Sequence, residues 1–309
     1  MNRNSRILIL GKKKYVNNFL EKKLNSNKFR RVKKINLNEN TIDSFQSLKK
    51  VFTLFHPDHL FFLGGKSGGI KANINNPGSL MIDNLTLTYN IFKLSKEYKI
   101  KKMLYLASSC VYPKDAISPY KPEMILSGQL EPTNKSYALS KIIGIEYCNS
   151  FKKEFNLNAI PVIPSTIFGP GDDFGNDNNH VISSLIHKIH LAKYNYMKSI
   201  TLWGSGKPVR DFIYVEDLAD ALIKIMQNYN GEKPINISSG EFYSIKELAG
   251  IIKNVVKYKN VIKFDNKNPD GVFKKILDIK PIKKLGWKKK YTLNKSIMIT
   301  YQWYLKNYF

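Results

Sequence analysis

Through the first half of the chain, short apolar runs alternate with longer segments whose apolar positions recur at helical spacing. Residues 6–10, 30–35, 59–63, 103–107 and 159–163 have the length and apolar continuity of buried strands. Between them, residues 15–24, 42–55, 80–98 and 135–155 carry the helical period. This alternation predicts an α/β fold, a Rossmann-like doubly wound parallel sheet with helices on both faces. In such sheets, ligands lie outside the carboxyl ends of the strands, where the connecting loops meet. After Phe168-Gly169-Pro170-Gly171 the rhythm breaks into irregular segments and short strands, which predicts a smaller α/β lobe for substrate over residues 169–309. The first unit then covers residues 1–168, with a return segment near 212–238. No flexible linker separates the two, so a fixed cleft is expected between them.

At 309 residues and 43% apolar content, the chain can bury a substantial core. The apolar run at residues 59–63 is far too short to cross a bilayer, and residues 1–10 do not read as a signal peptide. Cys110 and Cys148 are the only cysteines, which argues against a disulfide scaffold and suits a reducing cytoplasm. No metal site is expected. The net charge of +26 invites a nucleic-acid or membrane reading, yet the lysines are spread over the whole chain and only five residues are arginine. No nucleic-acid motif accompanies them. An anionic small molecule fits the charge equally well.

The run Ile7-Leu8-Ile9-Leu10-Gly11 opens like a dinucleotide site, a strand followed by glycine. Further glycines normally let the backbone approach a pyrophosphate and the helix pack on the strand. Here Lys14 and Asn17 occupy the second and third positions of a Gly-x-x-Gly-x-x-Gly spacing. Either Lys12 and Lys13 supply charge to the phosphates instead, or cofactor binding is weakened, or the segment is only a β–α turn with a basic surface. Near the second strand lie Arg30, Arg31, Lys33 and Lys34, with no acid to grip a ribose 2′-hydroxyl. If a dinucleotide binds here, NADP(H) is favoured over NAD.

Tyr137 and Lys141 stand at i and i+4 on one predicted helix, where an ammonium can stabilise a phenolate beside a carbonyl. The spacing alone selects nothing, because Tyr89/Lys93, Tyr194/Lys198 and Tyr291/Lys295 share it. Only the pair at Tyr137 follows the fourth strand and its Ser108-Ser109-Cys110 loop. Ser108 would emerge at the carboxyl edge of the sheet, as a substrate contact or as an ordinary strand-end cap.

Several segments, in order and at matching spacings, resemble the GDP-L-fucose synthase family of extended short-chain dehydrogenases/reductases. They are Gly64-Gly65-Lys66-Ser67-Gly68-Gly69, Ser108-Ser109-Cys110-Val111-Tyr112-Pro113, Asn134-Lys135-Ser136-Tyr137, Asn179-His180-Val181, Trp203-Gly204-Ser205-Gly206, Val209-Arg210-Asp211 and Asn268-Pro269-Asp270-Gly271. The resemblance implies epimerisation of a GDP-4-keto-6-deoxy-mannose at C3 and C5, then reduction at C4 with NADPH. It implies Cys110 and His180 as base and acid of the epimerisation, Tyr137 as proton donor to the C4 oxygen, Ser108 as its assistant, and Lys141 on the nicotinamide ribose. It further implies that Gly11, Lys12, Lys13, Leu106, Ser109, Lys141, Pro164, Ile167 and His180 hold the cofactor. Lys188, Trp203, Arg210 and Asp270 would hold the nucleotide sugar, with the planar Arg210 fork suited to diphosphate. Thr166 stands where the family is expected to carry asparagine.

Each residue also has a plainer reading. Cys110 fits as a small buried residue, His180 as a helix-start histidine, and Arg210 as an ion-pair partner of Asp211 or Glu216. A 4,6-dehydratase or 4-epimerase of the same fold explains fewer residues, since Ser109-Cys110 occupies the place of a dehydratase Asp-Glu pair. Two further readings are a nucleotide-sugar-binding homologue without turnover and an enzyme acting on a related GDP-sugar such as a GDP-heptose. In relatives, the helices matching residues 80–98 and 135–155 form a four-helix dimer interface, so a homodimer is expected.

Overall fold

The structure, a computed structural model, describes residues 1–37, 44–67, 70–175, 180–265, 270 and 272–309. The strands are β1 Arg6–Gly11, β2 Arg31–Asn36, β3 His59–Phe62, β4 Lys102–Leu106, β5 Ala159–Pro164, β6 Thr166–Phe168, β7 Ser199–Trp203, β8 Val209–Tyr214, β9 Ile235–Ile237, β10 Phe242–Ser244, β11 Val261–Asp265 and β12 Lys274–Lys275. The helices are α1 Lys14–Ser26, α2 Phe45–Phe55, α3 Ile70–Asn75, α4 Pro77–Glu97, α5 Lys135–Phe155, α6 Val181–Tyr194, α7 Val215–Asn228, α8 Ile245–Val256, α9 Lys280–Lys284 and α10 Leu293–Tyr308. The expected start of the second helix, Ile42 and Asp43, lies outside the described residues, as do the motif positions Gly68, Gly69, Asn179, Asn268, Pro269 and Gly271.

β3, β4 and β5 are buried along their whole length, and this explains their nearly unbroken apolar sequence: both faces of the sheet are covered. The main sheet runs β2-β1-β3-β4-β5-β9, and every pairing in it is parallel. The chain leaves β1 for β2 on one side and returns as β3 on the other, so a crevice opens at the carboxyl ends of β1 and β3. Around β8 a second sheet forms, with β10 antiparallel and β12 and β6 parallel to it.

Helix α5 is held unusually close to β4. A Cβ added at Gly144 would lie 2.2 Å from the Tyr105 ring, so glycine there lets the helix rest on the aromatic core of the sheet. Phe92, Tyr147 and Phe151 complete that contact between α4 and α5, with ring centroids 5.2–5.6 Å apart. The β4–α5 unit is therefore rigid where it carries Ser108, Cys110, Tyr137 and Lys141.

The strand bounds locate the four cations near the second strand. β2 begins at Arg31, so Arg30 and Arg31 sit at its amino end, away from the ligand edge. Lys34 pairs with Glu21 at 2.6 Å, and Lys33 lies over the Phe55 ring. The residues at the carboxyl end are Asn36 and Leu37. Those four cations thus give no support to the choice between the two dinucleotides.

Candidate active site

At the carboxyl edge of the main sheet lies a cavity of ≈ 240 Å³. Ser108, Ser109, Cys110, Tyr137, Lys141 and His180 all line it, with Lys13, Leu106, Pro164 and Ile167. The first six come from three separate chain segments: the loop after β4, the first two turns of α5, and the residue before α6. The i, i+4 pairing on α5 places Tyr137 and Lys141 side by side, with the Lys141 Nζ 5.7 Å from the Tyr137 ring centroid. Lys141 is buried and donates to the Leu106 carbonyl at 3.3 Å. Gly64, with φ of +87°, passes so close that a Cβ there would stand 3.1 Å from the same ammonium.

Electrostatics in this cavity differ from the sequence expectation. Burial pushes the Tyr137 phenol up, the charge of Cys110 adds to the rise, and the Ser108 hydroxyl pulls it down. Lys141 is itself brought down to about 8, by burial first, with Cys110 opposing and Lys13 adding to the fall. The ammonium is committed to the Leu106 carbonyl, and it does not lower the phenol in this state. Burial raises the Cys110 thiol, against Lys275, the Ser108 hydroxyl and Lys141. His180 falls to about 4, through burial and then the Lys13 charge, opposed by Asp172 and Asp173. At neutral pH the thiol is therefore protonated and the imidazole neutral.

Ser108 does cap the short helical turn at Ser109–Val111, accepting from the Cys110 amide at 3.5 Å, the outer limit of a hydrogen bond. Cys110 is 7% exposed, yet it faces the cavity. His180 precedes α6 without capping it; its Nε2 lies 2.9 Å from the Lys13 Nζ.

The altered glycine loop has a physical solution. Asn17 is fully buried; its amide donates to the Gly11 carbonyl at 2.7 Å and to the Asn36 side chain at 2.8 Å, tying together the ends of β1 and β2. A Cβ at Gly11 would meet Asn17 Oδ1 at 2.5 Å and Leu63 at 3.0 Å, so the first glycine remains necessary. Lys14 points to solvent, while Lys13, preceding α1, turns into the cavity.

These residues fit a dinucleotide. α1 has no side-chain cap and no acid in its first turn, so its leading N–H groups have no side-chain acceptor beside Lys13, an arrangement that suits an anion. Among the described residues, Ser165 Oγ and Asn134 Oδ1 are buried without a protein partner, and both residues line the cavity. Each is a polar group that a bound ligand can satisfy. Gly11 and Lys12, by contrast, shape the loop from behind and are outside the lining.

Among the described residues, the expected substrate contacts Lys188, Trp203, Arg210 and Asp270 are also outside this lining. Lys188 is exposed on α6 and Trp203 is 65% exposed. Asp270 accepts from the Ser205 amide at 2.9 Å and from its hydroxyl. Arg210 donates to the Val209 carbonyl at 2.9 Å and feels Asp211 and Asp270. Adjacent strand residues face opposite ways, and Asp211 is buried, accepting from the Leu277 amide at 2.9 Å. Lys275 joins the two regions: it lines the cavity, and in register it pairs with Arg210. Sequence reasoning missed it, because one more lysine in this chain carries no signal. Gly64 had a signal in its Gly-Gly run, and Ser165 stood in a segment already singled out.

A model of the NAD dependent epimerase/dehydratase family matches residues 5–238. GDP-L-fucose synthase 1 of Arabidopsis thaliana is 37% identical over 266 residues, spanning 86% of this chain and 80% of that protein. A GDP-6-OMe-4-keto-L-xylo-heptose reductase from C. jejuni has the same fold, with a TM-score of 0.92, 28% identity and 99% of both chains covered. A GDP-mannoheptose C4 reductase from Campylobacter jejuni with NADP bound gives a TM-score of 0.88 at 29% identity, again over 99% of both chains.

Proposed function

This chain belongs to the NAD dependent epimerase/dehydratase family and to the GDP-L-fucose synthases within it, and from that premise we propose that it epimerises and then reduces a GDP-4-keto-6-deoxy-hexose. It is an NADP-dependent oxidoreductase of GDP-sugars, and GDP-L-fucose is the product named by its sequence relatives. The observation that carries the reading is the convergence of Ser108, Cys110, Tyr137, Lys141 and His180 on one cavity.

NADPH, when bound, supplies the hydride that reaches C4. Lys13 and the open end of α1 would hold its diphosphate, Lys141 its ribose, and Leu106, Ser109, Pro164, Ser165 and Ile167 its nicotinamide end. A ketone at C4 acidifies the hydrogens at C3 and C5. Cys110 and His180 would remove such a proton from one face of the ring and return one to the other, inverting the carbon. Tyr137 then gives its proton to the C4 oxygen as that oxygen gains negative charge, with Ser108 holding the oxygen in place. Arg210, with Lys275 beside it, would take the substrate diphosphate, and Lys188, Trp203 and Asp270 would line the approach.

The structural relatives that act on GDP-heptoses favour a second substrate reading, a GDP-4-keto-heptose. NADPH consumption with the 4-keto-6-deoxy-hexose and with a 4-keto-heptose, each linked to GDP, separates the two. Turnover of the hexose at the higher kcat/KM is expected; turnover of neither sugar would overturn the reductase reading. A cytoplasmic homodimer through α4 and α5 completes the proposal, supported by the exposed Ile82 and Tyr89 on α4. A monomeric mass in solution scattering would remove the dimer.

A further inference from the structure

The contact between Lys13 and His180 arises in the altered loop. Lys13 immediately precedes α1 and directs its ammonium across the cavity to the Nε2 of His180, 2.9 Å away and 167 residues distant in sequence. In that position it occupies the hydrogen-bonding nitrogen that the proposed epimerisation needs. It also acts on Lys141, which feels its repulsion inside the same closed space. Lys13, Lys141 and Lys275 all line this pocket, and Asp172 is the anion that acts on Lys13, so a further anion beside these cations is favoured. The open N–H groups of α1, where a diphosphate is expected to sit, lie at the root of the Lys13 side chain.

We propose that Lys13 senses the cofactor: in the cofactor-free enzyme its ammonium occupies His180 Nε2, and a bound diphosphate draws it away and frees that nitrogen for the sugar. The inference rests on the epimerase/reductase reading of the site. Proton exchange on the sugar is then held back until a cofactor is present, which orders the two ligands. The groups facing His180 are Lys13, Asp172 and Asp173. Asp172 is buried and accepts from the Ser183 hydroxyl at 2.5 Å, so it stays in place when Lys13 moves. Its charge then favours a proton on His180, as does the loss of the neighbouring ammonium. Losing the ammonium while Asp172 remains pushes the imidazole up from about 4, against the burial that holds it down, toward the protonated form that an acid needs. Lys13 is a positioning residue in this scheme.

The test is an NMR pH titration of the histidine ring protons in the full-length protein, with the His180 signal assigned by its loss in His180→Gln. In cofactor-free wild type, the His180 midpoint is expected well below that of an exposed histidine. In Lys13→Met it is expected to rise by about 1 pH unit or more with no ligand present. Lys13→Arg, which keeps the charge, should retain the low midpoint. Saturating NADP⁺, which cannot reduce the sugar, should raise the wild-type midpoint at least as far as the Met variant reaches alone. Identical midpoints in wild type and Lys13→Met, or a wild-type midpoint unmoved by saturating NADP⁺, would overturn the proposal. A companion assay follows solvent deuterium entering the GDP-4-keto sugar without reductant. NADP⁺ should accelerate exchange several-fold in wild type, while Lys13→Met should exchange rapidly without it. Equal acceleration in both proteins sinks the gating. Exchange absent from every protein under all conditions sinks the enzymatic reading instead, and leaves the NMR result to judge Lys13.

Discussion

The β4–α5 side of the cavity and the β1–α1 side are built on different terms. On the first, every polar group that the chemistry needs is held by packing: Gly144 rests on Tyr105, Lys141 is fastened to the Leu106 carbonyl, and Cys110 is buried beneath Ser108. On the second, two glycines of the usual fingerprint are replaced. Asn17 substitutes hydrogen bonds for close helix packing, and Lys13 brings a positive charge into the cavity. The comparison teaches that a fingerprint has separable duties. Its structural duty can pass to a buried amide, while on the proposed reading its phosphate-binding duty would pass to a cation that also reaches across to His180.

The largest effect should come from the packed side. Tyr137→Phe is expected to lower reduction by about 10²–10⁴-fold, the usual worth of a positioned acid. Deuterium exchange at C3 and C5 should persist in that variant. Cys110→Ser should do the reverse and suppress exchange by a comparable factor, measured by NMR in deuterated solvent. If both substitutions were silent, the assignment of the cavity would be wrong.

Much of this was legible in the residues. The apolar runs gave β1, β3, β4 and β5 within a residue or two because both faces of a parallel sheet must be apolar, and residues 135–155 matched α5 at both ends. The converging Ser, Cys, Tyr, Lys and His were identifiable because unusual residue types stood in a recognisable order. Two things were not legible. Lys275 reaches the cavity through a pairing between β8 and β12 that joins residues 65 apart in sequence and leaves no periodic trace. The protonation of Cys110, Tyr137 and His180 is governed by burial, which sequence cannot measure.

Smaller perturbations sharpen the contrast between the two sides. Gly144→Ala forces a methyl into the Tyr105 ring and should cost about 1–3 kcal/mol, as overpacking does. Because α5 must lift, reduction should fall with it, although Gly144 is remote from the chemistry. Unchanged melting and turnover would show that α5 is not seated as described. Asn17→Ala should cost about 1–2 kcal/mol in a denaturant titration, since the Gly11 carbonyl keeps its bond from the Leu37 amide at 3.0 Å. NADPH affinity should change less than it does in Lys13→Met. A larger loss of affinity in Asn17→Ala would mean that the two duties are not separable.

The most direct test runs the reaction in deuterated water with NADPH and GDP-4-keto-6-deoxy-mannose, then reads the product by NMR. The account predicts a product carrying deuterium at C3 and C5 and protium, delivered by the cofactor, at C4. No product at saturating NADPH, or a product reduced at C4 with no deuterium at either neighbouring carbon, would contradict it.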